Sequence, residues 1–178
     1  ARTDLPLHEL DRRLKCIEAD NGRYAPERRG LPRVVSVQNE YSPTWRWFDK
    51  DTGEVAVAED VGLLAYSPLI AGAISGKYLN GARPAGSRWA IDHRIVHRDT
   101  PQTEAAVRAY IALAGQHGLD VCQMAIAWAL TRPFMTSVII GATTMEQLKA
   151  DIGAKDVTLS PEVLAGIDAI HRQYPTPY

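Results

Sequence analysis

Only two cysteines, Cys16 and Cys122, occur among the 178 residues. They fit neither a CxxC pair nor a Cys/His metal spacing, so neither a disulfide framework nor a thiolate zinc site organises the chain. A sparse pair of this kind suits free thiols in a reducing compartment. Charge of one sign is also missing: 20 Lys and Arg face 21 Asp and Glu, a net charge of −1. That balance offers no field to hold nucleic acid or an anionic membrane surface. Long hydrophobic runs are absent, since the apolar stretches near residues 61–69 and 137–141 fall far short of the ~20 residues that span a bilayer. The first residues show no charged-then-apolar signal pattern. With 46% hydrophobic and 23% charged residues, the composition is that of an ordinary soluble globular protein. A cytoplasmic setting, no nucleic-acid partner and no membrane association are therefore expected. The length matches one domain, residues 1–178.

Three short apolar runs stop abruptly and read as strands: residues 33–38 after the Gly30-Leu31-Pro32 turn signal, 61–66 before Ser67-Pro68, and 137–140 before Gly141. Apolar strands without polar alternation are what a parallel sheet covered on both faces requires. Helical signals separate them. Thr100-Pro101 is a cap followed by proline at the first helical position, and helical spacing continues from Ala105 to His117 before Gly118. Asp120 with Gln123 opens a helix through Leu130. Thr143 with Glu146, or Thr144 with Gln147, opens another that runs to about Ile152, and Ser160-Pro161 starts the last. The alternation of strand and helix predicts a parallel α/β architecture. Residues 80–99, rich in Gly, Pro and Arg, form the longest irregular segment and a candidate mobile lid.

Neither GxGxxG nor GxxxxGK[ST] occurs, so a Rossmann fingerprint and a P-loop are both excluded. Gly141-Ala142-Thr143-Thr144 follows a strand and opens a helix, where free N–H groups suit an anion and equally suit an ordinary capped turn. Tyr66-Ser67-Pro68-Leu69 ends a strand at the edge where parallel α/β folds collect ligands. The tyrosine there either stacks on a flat ring or plugs the rim. Lys77 and Arg88 are cations that could close over a pyrophosphate, or plain surface charges. His93 and His97 flank Arg94 beside Asp92 without a third convincing ligand, so no metal is assigned. Trp45-Arg46-Trp47-Phe48 either walls a pocket or packs on the rim.

The string 66–79, Tyr-Ser-Pro-Leu-Ile-Ala-Gly-Ala-Ile-Ser-Gly-Lys-Tyr-Leu, and the later Ile140-Gly-Ala-Thr-Thr-Met-Glu-Gln-Leu148 together resemble the carboxyl-terminal half of aldo-keto reductases. The likeness is to the Tas-like and potassium-channel beta-subunit-like branch. Leu31 to Ser42 and Leu159 to Leu164 extend it, so that it covers roughly residues 28–178.

The resemblance implies a (β/α)8 TIM barrel that binds NADP(H) across its carboxyl face, of which this chain supplies about three strands. On motif position, Gln38 matches the glutamine that hydrogen-bonds the nicotinamide carboxamide, and Tyr66 the aromatic that stacks on the nicotinamide. Ser67, Pro68, Leu69 and Gly72 fall where the family lines the pyrophosphate, with Lys77 and Arg88 as its basic contacts. Gly141, Thr143 and Gln147 match the turn and helix that hold the 2′-phosphate, and Asp151 stands where the family has Asn against the adenine. The implied activity is NADPH-dependent reduction of a small aldehyde or ketone; the alternatives are a non-catalytic NADP(H)-sensing subunit and a degenerate cofactor-binding fragment. No residue matches the family's catalytic Asp, Tyr, Lys and His, and residues 1–27 are atypical of it. A whole barrel takes about 250 residues, so the expectation is a chain that belongs to a larger protein, or a half that pairs with itself or with a missing amino-terminal half.

Overall fold

The computed structural model describes residues 33–178. Segment 1–27 and the Gly30-Leu31-Pro32 turn signal lie outside the described residues. Three strands, β1 (Ser36–Glu40), β2 (Gly62–Tyr66) and β3 (Met135–Val138), form one parallel sheet in the order β1-β2-β3. The helix implied between the first two strands is α1 (Asp51–Ala58). After β2 come α2 (Arg88–Ile91), α3 (Pro101–Gln116) and α4 (Val121–Leu130). Beyond β3 lie α5 (Met145–Gly153) and α6 (Pro161–Gln173).

The expected strands are present with shifted ends, and the ladder explains each shift. β1 begins at Ser36 rather than Arg33 because Ser36 is the register partner of Gly62, where β2 itself begins. β3 begins two residues early because Leu63 N–H donates to the Phe134 carbonyl at 2.8 Å, drawing Met135 into the ladder. A register irregularity between Leu63 and Leu64 then moves the next pair to Ser137.

The caps follow the side chains available to them. Thr100, Asp120, Thr144 and Ser160 each accept a backbone N–H three residues on, which satisfies a donor that the first helical turn leaves open. Of the two capping pairs readable before α5, Thr144 is the cap.

The sheet's two faces differ. Leu63 and Ala65 are fully buried in a core shared with Val107, Tyr110, Met124, Trp128 and Ile167 of the helices. Strand residues alternate sides, so Gln38, Glu40, Leu64, Tyr66 and Ser137 share the opposite face by register. There Gln38, Tyr66 and Ser137 are exposed. The apolar strands are thus covered on one face among the described residues, not on both.

Polar ties fix the loop after β1. Tyr41, fully buried, stacks on Trp128 at 5.2 Å between centroids and donates from Oη to Asp49 Oδ1 at 2.5 Å. Arg132 donates from Nε to Tyr41 Oη at 2.8 Å and from Nη2 to Asp49 Oδ2 at 2.7 Å. Arg46 crosses to α6, reaching Asp168 Oδ1 at 2.6 Å and the Ile167 carbonyl at 3.2 Å, with its guanidinium over Trp128. Phe48 is buried against Phe134. In the Trp45–Phe48 run, Arg46 and Phe48 therefore serve packing.

Residues 80–99 hold more structure than an irregular lid. They contain α2 and a 3-10 turn at His93–Arg98. Trp89 anchors the segment, stacked on Tyr78 at 4.5 Å. No helix among the described residues is long and apolar enough to cross a membrane.

Candidate functional site

The carboxyl ends of β1 and β2 bring the first predicted pair together. Gln38 is in register with Leu64, and Glu40 with Tyr66. Gln38 and Tyr66 therefore project from the same face of neighbouring strands, one pleat repeat apart. Tyr66 is 36% exposed, so its ring has an uncovered side at the sheet edge where ligands collect in parallel folds.

The chain leaves β2 through a turn of unusual backbone. Ser67, Ile70 and Ala71 have φ of 56°, 55° and 52°, and Gly72 follows at 89°. Left-handed backbone is rare for a non-glycine residue and rarest for a β-branched one such as Ile70. Strain of this kind costs about 1–3 kcal/mol per residue and gathers at functional sites. Buried neighbours hold the turn, since Pro68, Ile70, Ala73 and Ile74 all lie in the interior. Ser75 Oγ donates to the Gly72 carbonyl at 2.8 Å. A Cβ on Gly72 would meet Lys77 Cε and Nζ, each at 3.0 Å, so the absent side chain leaves room for the ammonium against the turn. Ser67, Pro68, Leu69, Gly72 and Lys77 are thus one contiguous structure.

Arg88 stands apart from it. Its guanidinium lies 3.6 Å from Asp92 Oδ2, and Arg94 contacts both oxygens of that carboxylate at 2.9 and 3.1 Å. Arg94 holds the Asp92 carboxyl down at about 2 through its hydrogen bonds. His97 Nδ1 faces the Arg94 carbonyl at 3.1 Å. Among the described residues no three His, Cys, Asp or Glu gather as metal ligands.

At the third strand's end, Gly141, Thr143 and Gln147 are all exposed at the start of α5. Gln147 Oε1 accepts from Thr143 N and from Thr143 Oγ1, both at 3.0 Å. The glutamine side chain therefore reaches the residue before the cap and fixes the turn that leads into the helix. Asp151 is placed differently. It is 6% exposed, and burial first, then the charge of Asp120, raises its carboxyl above the ordinary range. It sits on the α4 side of α5, within reach of the Asp120 charge, one helical turn beyond Gln147. Cys122 of α4 shares that environment, and burial pushes its thiol up to about 12.

Glu40, Arg98 and Tyr178 also meet at the rim of β1, and sequence reading missed them. Glu40 follows Gln38 by one strand repeat, a signal that period-2 alternation offers. Arg98 and Tyr178 have no local signal, because only the tertiary fold brings them to a strand 58 and 138 residues away.

The arrangement offers an exposed aromatic ring beside an amide, a glycine-bearing turn with an ammonium, and a capped helix start. Flat-ring stacking, carboxamide pairing and anion binding are the chemistry such groups perform. A family model described as the aldo/keto reductase family matches residues 17–172. Protein tas of Escherichia coli is 46% identical over 151 residues, 85% of this chain and 44% of that protein. L-glyceraldehyde 3-phosphate reductase of Escherichia coli is 38% identical over 146 residues, covering 78% of this chain and 41% of the relative. A probable voltage-gated potassium channel subunit beta of Oryza sativa is 36% identical over 120 residues, 65% of this chain and 37% of its own. The chain spans less than half the length of these curated relatives.

Proposed function

Given that the chain belongs to the aldo/keto reductase family, we propose that it carries the cofactor-holding side of an NADPH-dependent reductase of aldehydes or ketones, built as part of a (β/α)8 barrel. The observation that carries the proposal is the shared face of Gln38 and Tyr66 at the carboxyl ends of adjacent parallel strands. When bound, the cofactor supplies the hydride. The protein's residues do the rest by binding and orienting.

Gln38 has both an amide donor and a carbonyl acceptor, the complement of a carboxamide. Tyr66 offers the open side of its ring to a planar partner, and covering one face of that partner leaves the other for the substrate. The Ser67–Gly72 turn and the Lys77 ammonium suit a pyrophosphate. The positive end of α5 suits a 2′-phosphate; Gly141, Thr143 and Gln147 would shape the turn before it, although the Thr143 and Gln147 N–H groups are already taken by Gln147 Oε1 and Thr144 Oγ1. Asp151 is the weakest member of the set, because its carboxyl is packed towards α4. Arg88 would have to leave Asp92 to join Lys77. The proton for the carbonyl oxygen is assigned to the family's tyrosine acid, for which this chain offers no motif match.

The test uses the full-length protein, NADPH and a generic aldehyde. NADPH binding with aldehyde-dependent oxidation is the expected result. Binding without turnover replaces the reductase with an NADP(H)-sensing subunit, and absence of binding overturns both.

A further inference from the structure

Glu40 is the last residue of β1 and the register partner of Tyr66, so its side chain projects beside that ring from the same face. Its carboxylate is not left to solvent. Arg98 lies 2.7 Å away through Nη1 and donates from Nη2 at 2.9 Å, and the two side chains are only 9% and 11% exposed. Tyr178 Oη donates to Glu40 Oε1 at 2.9 Å.

Tyr178 is itself held on several sides. Trp45 stacks on its ring at 5.0 Å with an 11° interplanar angle, and the Arg98 guanidinium lies 5.0 Å from the ring centroid. The preceding Pro177 carbonyl accepts from Thr100 Oγ1 at 2.6 Å and Thr103 Oγ1 at 3.3 Å. Burial, reinforced by the Glu40 charge, keeps the Tyr178 hydroxyl far above its ordinary range, so it remains a donor at any working pH.

A buried ion pair gains little net stability over apolar residues of the same size, because desolvation offsets the attraction. What the cluster does here is tie the strand end that carries Gln38 beside Tyr66 to residues far away in the chain. We infer that Glu40, Arg98 and Tyr178 form a positioning assembly that holds the carboxyl end of β1 in register with Tyr66 and thereby sets the affinity for the nicotinamide half of a nicotinamide dinucleotide. This rests on the cofactor reading above. None of the three touches the ligand in this assignment; each acts through the placement of Gln38 and Tyr66.

The adenosine half is assigned to the opposite end of the sheet, at α5, which gives the test its internal control. Full-length protein carrying Tyr178→Phe, Arg98→Met or Glu40→Ala is titrated with NADPH and, separately, with 2′,5′-ADP, which has no nicotinamide. Thermal denaturation is followed in parallel. Tyr178→Phe loses one hydrogen bond and predicts roughly three- to tenfold weaker NADPH binding. Arg98→Met and Glu40→Ala break the ion pair and predict a larger loss, with 2′,5′-ADP affinity held within about twofold of wild type in each of the three variants. Glu40→Gln keeps an oxygen for Tyr178 and is expected to fall between wild type and Glu40→Ala. Equal weakening of both ligands, or affinities that track only the melting temperature, reduces the cluster to a structural role and overturns the inference. Unchanged NADPH affinity in all variants overturns it as well. If wild-type protein binds 2′,5′-ADP and NADPH while the variants match it, only this inference falls; if wild type binds neither, the cofactor reading falls and takes the inference with it.

Discussion

The Lys77 ammonium occupies space that a side chain at Gly72 would claim: a Cβ there would stand 3.0 Å from Lys77 Nζ. The glycine is at φ +89°, a conformation that costs other residues about 1–2 kcal/mol. Gly72→Ala is therefore expected to destabilise the protein by about that amount and to push the flexible lysine off the turn. Chemical denaturation reads the first effect and NADPH titration the second. A destabilised variant with wild-type affinity would show that Lys77 does its work from another position.

Lys77 and Arg88 were equivalent in the sequence, and the structure separates them. Arg88 faces Asp92, where Arg94 competes for the same carboxylate, whereas Lys77 rests on the turn after β2. Lys77→Ala should weaken NADPH binding roughly tenfold in low salt, the scale of one charge-assisted hydrogen bond. Arg88→Ala should do clearly less. Added salt should narrow the gap, since exposed charges are screened. Equal losses from the two variants would contradict the separation.

The extent to which the sequence foretold these features depends on how local their causes are. Asp120 and Thr144 announce helix starts because a cap needs only a side-chain oxygen and an N–H three residues away. Strand ends were displaced at Ser36 and Met135 because they depend on where the neighbouring strand begins, which is tertiary information. Gln38, Tyr66 and the Ser67–Lys77 turn could be named from family likeness. That Asp151 turns inward could not, because its position on the motif says nothing of which face of α5 packs on α4. Arg132, which ties Tyr41 to Asp49, and Tyr178, which meets Glu40, carry no pattern of their own. Distant partners define them.

Arg132 bridges Tyr41 and Asp49 and also lies over Trp128, its guanidinium carbon 4.8 Å from the ring. Arg132→Ala removes one hydrogen bond to the Tyr41 hydroxyl and one to the partly buried Asp49 carboxylate, and leaves Asp49 with Tyr41 alone. The expected loss is about 1–3 kcal/mol, the cost of stranding a partly buried charged acceptor. Tyr41→Phe keeps the Arg132–Asp49 pair and should cost only about 0.5–1.5 kcal/mol. Denaturant midpoints at constant m-value report both. A Tyr41→Phe loss equal to that of Arg132→Ala would place the energy in the phenol rather than in the ion pair.

Asp151 makes a prediction whose sign depends on pH. Burial and the Asp120 charge raise its carboxyl in the folded protein above the ordinary value of 3.8, so the folded state holds that proton more tightly than the unfolded one. Stability therefore falls as pH rises from the ordinary carboxylate value through the raised one, and stays reduced above it. Asp151→Asn removes the penalty: the variant should melt higher than wild type at neutral pH, and the advantage should vanish near pH 3, where both side chains are neutral. Asp120→Asn tests the second cause separately. Asp120 caps α4 by accepting from Gln123 N at 2.9 Å, and asparagine caps nearly as well, so the substitution removes the charge while keeping the cap. It should recover the smaller part of the Asp151 penalty, because burial is the larger cause. A wild-type protein that melts higher than Asp151→Asn at pH 7 would mean that the carboxylate is stabilised in the folded state, and the raised proton affinity assigned to it would be wrong.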